Sequence, residues 1–224
     1  DVRSTVPLLL SITLAETSDR QLNLYTFIVD LRDKDVVEQL TALFNLPTCF
    51  VGHNLKVEWF CLWQLGIEPP SMIWDTFIAE KTMYLGIDHK SVTQKENSLQ
   101  GEIDAKESAD ENSKFRLALV SCCLRYGIEY RMAGDKERLQ KSFLDHPDGD
   151  PFSNEQVKYS AEDAITAAEL YLPQVQAAAQ KGLLHHLIST EMPWVTTNAR
   201  MVWTGLRIDS EKGELAKSAA KRKA

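Results

Sequence analysis

The sequence of 224 residues lacks the features that mark membrane and secreted proteins. No apolar run approaches the roughly 20 residues that a membrane-spanning helix needs. The N-terminus has no basic stretch followed by an apolar run and a cleavage site, as a secretory signal would have. We therefore expect no membrane partner and no secretion, and a location in the cytoplasm with the nucleoid or in an organelle. An initiator methionine is also missing, so we expect an excerpt of a longer protein.

Cysteine is scarce, and its spacing excludes the common metal sites built from CxxC pairs. Each of the four cysteines lies in an apolar stretch, which predicts buried free thiols in a reducing compartment. These are Cys49, Cys61, Cys122 and Cys123. A surplus of basic charge is missing too, since the formal net charge is −7. This balance argues against a protein that coats DNA through a basic surface, but it is compatible with an acidic nuclease site bridged to phosphate by metal ions.

The order of apolar and polar residues predicts the alternating strands and helices of an α/β protein. Strands are predicted at residues 8–15, 24–31, 49–52 and around 73. The first of these strands, LLLSITLA, is expected to be buried on both faces. Helices are predicted at residues 33–44, 56–65, 75–85, 115–126, 135–143 and 153–179. The last helix contains Pro173, so we expect a kink or a break there.

One long segment has the composition of an exposed insertion. Residues 89–114 are polar and charged and are almost free of large apolar side chains. Such a composition predicts a mobile or disordered stretch. Solvation is the usual role of a charge run of this kind, and binding of a partner is the alternative.

The first candidate motif joins the third predicted strand to the helix that follows it. The sequence VGHNLKVE at residues 51–58 places His53 and Asn54 at the strand end and Glu58 on the first turn of the helix. A carboxylate here can contribute to a site for two divalent ions, and its hard oxygen atoms favour magnesium or manganese over zinc. The Asn54 amide can hydrogen-bond a substrate or a neighbouring strand. A plain turn followed by a surface glutamate is the alternative.

The second candidate motif, YSAED at residues 159–163, lies on the longest predicted helix. Tyr159 and Asp163 are four residues apart and therefore share one face of that helix. Asp163 can hold a metal ion while the Tyr159 phenol contacts an attacking water or a phosphate. Because this spacing is common, an amphipathic helix with an incidental tyrosine is the alternative.

Together, the two motifs and the sequence between them resemble the DEDD superfamily of 3′–5′ exonucleases. The resemblance covers most of residues 8–180. It is nearest to the branch with a tyrosine in the last motif, which includes ribonuclease D-like enzymes and the proofreading domain of family A DNA polymerases. The resemblance implies a ribonuclease H-like fold with a mixed central sheet flanked by helices. Asp75-Thr76 matches the Asp-Thr of the family's intervening helix.

The residues after position 182 separate the two branches. TEMPW at residues 190–194 and MVWTGLRID at residues 201–209 resemble the passage where family A polymerases leave the exonuclease domain and enter the thumb. Ribonuclease D-like enzymes continue with a different helical domain. We therefore expect an exonuclease domain at residues 1–182 and the helical start of a polymerase thumb domain at residues 183–224.

Two departures from the family pattern bear on activity. The first acidic motif, Asp-x-Glu-Thr, is not visible, because LAET at residues 14–17 lacks the aspartate; we expect the motif upstream of Leu8. Glu58 stands where the family has an aspartate. Its extra methylene moves the carboxylate by about 1.5 Å, and a misplacement of about 1 Å already weakens catalysis. A weakened or lost activity is therefore one expectation.

The sequence thus predicts a metal-dependent 3′–5′ exonuclease domain of a DNA polymerase that serves replication or repair. A single-stranded or frayed DNA 3′ end is the expected substrate, two magnesium or manganese ions are the expected cofactors, and the rest of the polymerase chain is the expected partner. The candidate residues are Tyr159, Asp163 and Glu58 for catalysis, Asp163 and Glu58 for metal binding, and His53 and Asn54 for substrate binding. Two alternatives stay open: an exonuclease-like scaffold without activity, and a ribonuclease D-like enzyme that processes RNA.

Overall fold

The computed structural model describes most of the chain, with gaps. The described residues are 7–18, 21–85, 117–131, 136–144, 146–147 and 149–205, and the isolated positions 209, 212, 214 and 217. The segment at residues 89–114, for which the sequence predicts mobility, lies outside this part of the chain. Residues 1–6 at the N-terminus lie outside it as well.

The described chain starts with an antiparallel hairpin. Strands β1 (Leu9–Ser18) and β2 (Gln21–Asp30) pair along their full length. β-Branched and aromatic residues in both strands favour this extended structure. The hydroxyl groups of Thr13 and Thr26 add a hydrogen bond of 3.0 Å between the two strands.

The expectation that the first strand is buried on both faces is wrong. Leu10 and Ile12 pack against the core, whereas Leu14, further along the same face, is 51% exposed. Its cross-strand partner Tyr25 is 50% exposed as well. The hairpin extends past the part of its face that packs on the core, so its apolar run continues onto a surface that no described residue covers.

A second pair of strands is short and parallel. Strand β3 (Phe50–Gly52) pairs with β4 (Ile73–Asp75), and helix α2 (Lys56–Gln64) lies in the connection between them. Within the described residues, the hairpin and this pair are two separate sheets, so the expected single mixed sheet is not formed there. Among the described strands, β3 and β4 hydrogen-bond only to each other. The protein is a mixed α/β structure, as the sequence predicts.

Helices make up most of the described structure. The helices besides α2 are α1 (Lys34–Phe44), α3 (Thr76–Met83), α4 (Leu119–Tyr126), α5 (Lys136–Leu144), α6 (Asn154–Gln180), α7 (Leu184–His186) and α8 (Met192–Thr204). A π-helical turn, Leu187–Glu191, joins α7 to α8. None of the described helices combines the length and the apolar character that crossing a bilayer requires.

The longest helix, α6, packs against β1, β2 and β3. It begins with the capping box that the sequence predicts: Ser153 accepts from the backbone N–H of Gln156, and the Gln156 side chain accepts from the backbone N–H of Ser153. Pro173 lies inside the helix, which continues beyond it, so the helix does not break there and the predicted kink stays a prediction. The buried side chains of Leu170 and Gln174 hold this part of the helix against its neighbours and offset the missing hydrogen bond.

One hydrophobic core joins the strands to the C-terminal helices. Trp59 on α2 and Trp74 on β4 share this core with Leu187 and Met192. The helices after residue 182 therefore pack on the same core as the strands. The predicted domain boundary at that position stays a prediction.

Candidate active site

The turn after β3 has an unusual backbone. Asn54 adopts a left-handed conformation with φ of 63°, which asparagine tolerates better than most residues. A β-carbon at Gly52 would lie 2.3 Å from Cδ2 of Leu55, so a glycine is required for the Leu55 side chain to take its place. The chain then enters α2, whose first turn carries Glu58. The local sequence thus determines where α2 starts and, with it, where Glu58 lies.

Asp75, at the end of β4, holds the same turn in place. Asp75 is 1% exposed. Its Oδ1 accepts hydrogen bonds from the backbone N–H groups of Asn54 (3.0 Å), Phe77 (2.9 Å) and Ile78 (3.2 Å), and its Oδ2 accepts one from Leu55 (2.9 Å). One carboxylate therefore caps α3 and fixes the turn before α2. Burial raises the pKa of Asp75, and the four hydrogen bonds oppose the rise.

His53 is oriented by the same junction of strand ends. Its Nδ1 lies 2.9 Å from Oγ1 of Thr76, and the Thr76 hydroxyl donates its one proton to the carbonyl oxygen of Gly52 at 3.1 Å. Nδ1 is therefore the donor in this contact, and in the neutral imidazole Nε2 carries no proton. The ring also packs edge to face with Phe77, with 5.7 Å between the centroids. The Thr76 hydroxyl and the Phe77 ring thus hold the imidazole at the end of β3.

The Glu58 side chain is exposed, yet its surroundings perturb its pKa. The residue is open to solvent. Its pKa is nevertheless raised to about 7, first by desolvation and then by the negative charges of Asp75 and Asp163, while a backbone hydrogen bond opposes the rise. Because water reaches the side chain, desolvation is partial. The contribution of the two aspartates shows that the three carboxylates share one electrostatic neighbourhood.

Tyr159 and Asp163 lie on one face of α6 and interact with each other. Tyr159 is buried, and its hydroxyl hydrogen-bonds with Asp163 and with Gln140 of α5. Burial, followed by the charge of Asp163, raises the pKa of Tyr159 to about 12, so the phenol stays protonated near neutral pH. Phe143 of α5 packs on the ring, with 6.4 Å between the centroids. Asp163 is the more accessible member of the pair.

Two residues outside both motifs hold this part of α6. The hydroxyl of Tyr130 donates to Oδ1 of Asp163 at 2.7 Å. Arg131 donates from its backbone N–H to Oε1 of Glu162 at 2.9 Å, and its guanidinium pairs with the same carboxylate at 3.2 Å. The segment after α4 therefore contacts two adjacent carboxylates of α6. No sequence signal indicates this, since Tyr130 reaches Asp163 through tertiary packing alone.

A buried polar network fixes α6 relative to β4. Glu80 on α3 accepts from Nε of Arg125 at 2.6 Å and from the side chain of Gln174 at 2.9 Å. Gln174 also donates to the carbonyl oxygen of Thr76 at 3.0 Å and accepts from the indole of Trp74 at 3.0 Å. Because buried polar groups need partners, this network favours one arrangement of α3, α4 and α6. It connects α6 to the end of β4, beside Asp75.

Helix α8 supports the junction from another side. Sδ of Met192 accepts from the backbone N–H of Asp75 at 3.1 Å. Oγ1 of Thr196 accepts from the indole of Trp59, the residue next to Glu58, at 3.0 Å. The first part of α8 therefore packs against Asp75 and against Trp59, the neighbour of Glu58.

The structure places some of the predicted residues close enough to interact, and their roles in a site stay predictions. Glu58 and Asp163 share a negative field with Asp75, and His53 and Asn54 border the turn before α2. Within the described ranges, no group of three or more histidine, cysteine, aspartate or glutamate side chains is placed to hold a metal ion. An open pocket beside the π-helical turn contains none of the candidate residues. The two candidate ligands have the right chemistry for a hard cation, but a two-metal site needs further carboxylates.

Comparison of the chain with protein-family models, with curated proteins and with solved structures found no match. The fold of the described residues is mixed α/β. The assignment of the site therefore rests on its residues and their geometry.

Proposed function

We propose that the chain is a metal-dependent 3′–5′ exonuclease domain of the kind found in family A DNA polymerases, built on a ribonuclease H-like fold. The observation that carries the proposal is the convergence of the two motifs. Helix α6 packs against β3, and the charge of Asp163 acts on Glu58. Carboxylates that are far apart in sequence and meet at strand ends are what a site for divalent cations needs. Tyr159, one helical turn before Asp163, adds a protonated hydroxyl.

The donor set suits hard divalent cations. Desolvation and then like-charge repulsion raise the pKa of Glu58, and a bound cation would offset both, so Glu58 and Asp163 would both gain from holding magnesium or manganese. Two such ions would supply an activated water and would neutralise the leaving 3′ oxygen of the DNA. Tyr159 would orient the attacking water. His53 and the side-chain amide of Asn54 would contact the terminal nucleotide.

The proposal requires further carboxylates beyond Glu58 and Asp163. The resemblance assigns them to an Asp-x-Glu motif upstream of Leu8. A single-stranded or frayed DNA 3′ end would enter the shared cleft, and the polymerase part would follow residue 182. Activity then depends on the upstream motif as well as on the residues described above.

One observation favours a second candidate, a scaffold without catalytic activity. With a pKa of about 7, Glu58 is partly protonated at neutral pH and is then a weaker ligand than an ionised carboxylate. Its extra methylene relative to an aspartate also displaces the ligand atoms. In this alternative the module supports the polymerase through packing alone, with α8 as the connection.

The test removes the carboxylate of Asp163. Asp163→Ala should abolish magnesium-dependent release of nucleotides from the 3′ end of single-stranded DNA, followed with a 5′-labelled oligonucleotide on a denaturing gel. Glu155→Ala is the matched control, because it removes an exposed carboxylate of the same helix that pairs with the exposed Arg138. It should leave the rate unchanged, since surface ion pairs contribute little.

The protein is assayed together with any sequence that precedes it in its gene. Equal rates in the wild type and in Asp163→Ala would contradict the catalytic assignment. Absence of activity in the wild type and also in Glu58→Asp, which restores the family's aspartate, would favour the scaffold.

A further inference from the structure

Tyr130 reaches the candidate site from outside both sequence motifs. It follows α4, where Gly127 ends the helix with φ of 69° and the backbone N–H of Ile128 donates to the carbonyl oxygen of Cys123 at 2.9 Å. Tyr130 is 9% exposed, and its hydroxyl lies 2.7 Å from Oδ1 of Asp163. This length is typical of a strong hydrogen bond from a hydroxyl to a carboxylate.

The segment that carries Tyr130 is fixed along α6 at a second point. Arg131 binds Glu162 through both its backbone N–H and its guanidinium. Tyr130 and Arg131 thus contact consecutive residues of α6, which restricts the movement of the phenol. Burial and the charge of Asp163 raise the pKa of Tyr130. The hydroxyl therefore remains protonated and acts as the donor.

We propose that Tyr130 is a positioning residue, whose hydroxyl fixes the orientation of the Asp163 carboxylate that would bind metal. The inference rests on the proposed function of the site. An ionised carboxylate has two oxygens with about four lone-pair sites, so Asp163 can accept from Tyr130 and from Tyr159 and still ligate. Hydrogen-bond partners of metal-ligating carboxylates orient them, and loss of such a partner costs about 10- to 100-fold in metal affinity or activity.

Tyr130 and Tyr159 restrain Asp163 in different ways. Tyr159 belongs to the same helix and moves with Asp163. Tyr130 belongs to the segment after α4, so its hydrogen bond fixes Asp163 relative to a different part of the fold. Only the hydrogen bond from Tyr130 can therefore hold the Asp163 carboxylate in place when α6 rotates or shifts.

Tyr126 provides a matched control for the role of Tyr130. Its hydroxyl donates to Oε2 of Glu80 at 3.2 Å, and Glu80 is not a candidate ligand. Tyr126→Phe and Tyr130→Phe therefore remove the same atom from two hydroxyl–carboxylate contacts of neighbouring tyrosines. A purely structural role predicts that both changes lower stability and that neither alters the metal requirement.

The experiment measures the exonuclease rate against magnesium concentration, and manganese binding by electron paramagnetic resonance, in the wild type and both variants. We expect Tyr130→Phe to raise the magnesium concentration for half-maximal rate, and the manganese dissociation constant, by about 10- to 100-fold. Its circular dichroism spectrum should match that of the wild type. Tyr126→Phe should keep the wild-type metal requirement.

The outcomes separate the inference from the function on which it rests. An active wild type and an unchanged metal requirement in Tyr130→Phe would overturn the inference and leave the proposed function standing. An equal rise in both variants would overturn it too, because the effect would then not depend on the hydrogen bond to Asp163. A wild type that neither binds manganese nor hydrolyses DNA would overturn both.

Discussion

Asp75→Asn tests whether one buried carboxylate holds the two strand ends of the site together. The variant keeps the shape of the side chain and one carbonyl oxygen. That oxygen can replace Oδ1, which accepts from Asn54, Phe77 and Ile78. The new amide group then takes the place of Oδ2 and directs its hydrogens at the backbone N–H of Leu55. A buried donor is thus left facing another donor.

The magnitude follows from these contacts. An unsatisfied buried donor costs about 1–3 kcal/mol, and hydrogen bonds to a neutral acceptor are weaker than those to a charged one by about 1 kcal/mol each. Loss of a buried charge offsets part of this sum, since burial raises the pKa of Asp75. We therefore expect Asp75→Asn to lower the free energy of unfolding by about 2–4 kcal/mol.

Asp33→Asn is the matched control for Asp75→Asn. Asp33 is exposed and caps α1 by accepting from the backbone N–H of Asp35 at 3.0 Å. Asparagine and aspartate are equally good at such positions, so this change should leave the free energy of unfolding nearly unaltered. Urea denaturation followed by circular dichroism measures both. Equal effects of the two changes would refute the assignment of Asp75 as the residue that joins the strand ends.

Three further substitutions test the candidate site and the buried ion pair that supports it. Tyr159→Phe should lower the exonuclease rate by about 10- to 100-fold and leave manganese binding intact in a resonance titration, because Tyr130 still fixes Asp163 relative to the rest of the fold. Glu58→Asp should lower the rate if Glu58 is an adapted ligand and raise it if the site has decayed from an aspartate; an unchanged rate in the same gel assay would exclude Glu58 as a ligand. Arg125→Met should lower the free energy of unfolding in urea by about 3–5 kcal/mol, because it leaves Glu80 buried without its ion-pair partner.

The two motifs could be predicted from the sequence because their geometry is local. Tyr159 and Asp163 share a helix face through their spacing alone, and the structure places them in contact. The position of Glu58 on the first turn of α2 follows from the strand signal and the turn signal before it. Their roles in catalysis stay predictions.

The contacts that hold the motifs could not be predicted in the same way. Asp75 matches a helix cap in the sequence, but its hydrogen bonds to Asn54 and Leu55 depend on the parallel pairing of β3 and β4. Tyr130 carries no motif and reaches Asp163 only once α4 is packed on α6. For Leu14 the sequence predicts too much: its apolar run indicates burial, but the side chain is exposed because no described element covers that part of the strand. Local pattern therefore locates the candidate groups, and tertiary packing decides what orients them.

Glu58→Gln tests the charge of the proposed ligand directly, through stability in metal-free buffer. The pKa of Glu58 is raised from an ordinary 4.5 to about 7. Its contribution to stability is therefore fully present below pH 4.5 and is lost as the pH rises through 7. The glutamine cannot ionise, so the variant should gain in urea midpoint relative to the wild type between pH 5 and pH 8. Magnesium at pH 8 should restore the wild type and leave the variant unaffected, because a bound cation offsets the desolvation of the Glu58 carboxylate and its repulsion by Asp75 and Asp163. If the urea midpoints of the two proteins change with pH in parallel, the pKa of Glu58 is not raised, and the argument for a cation beside it fails.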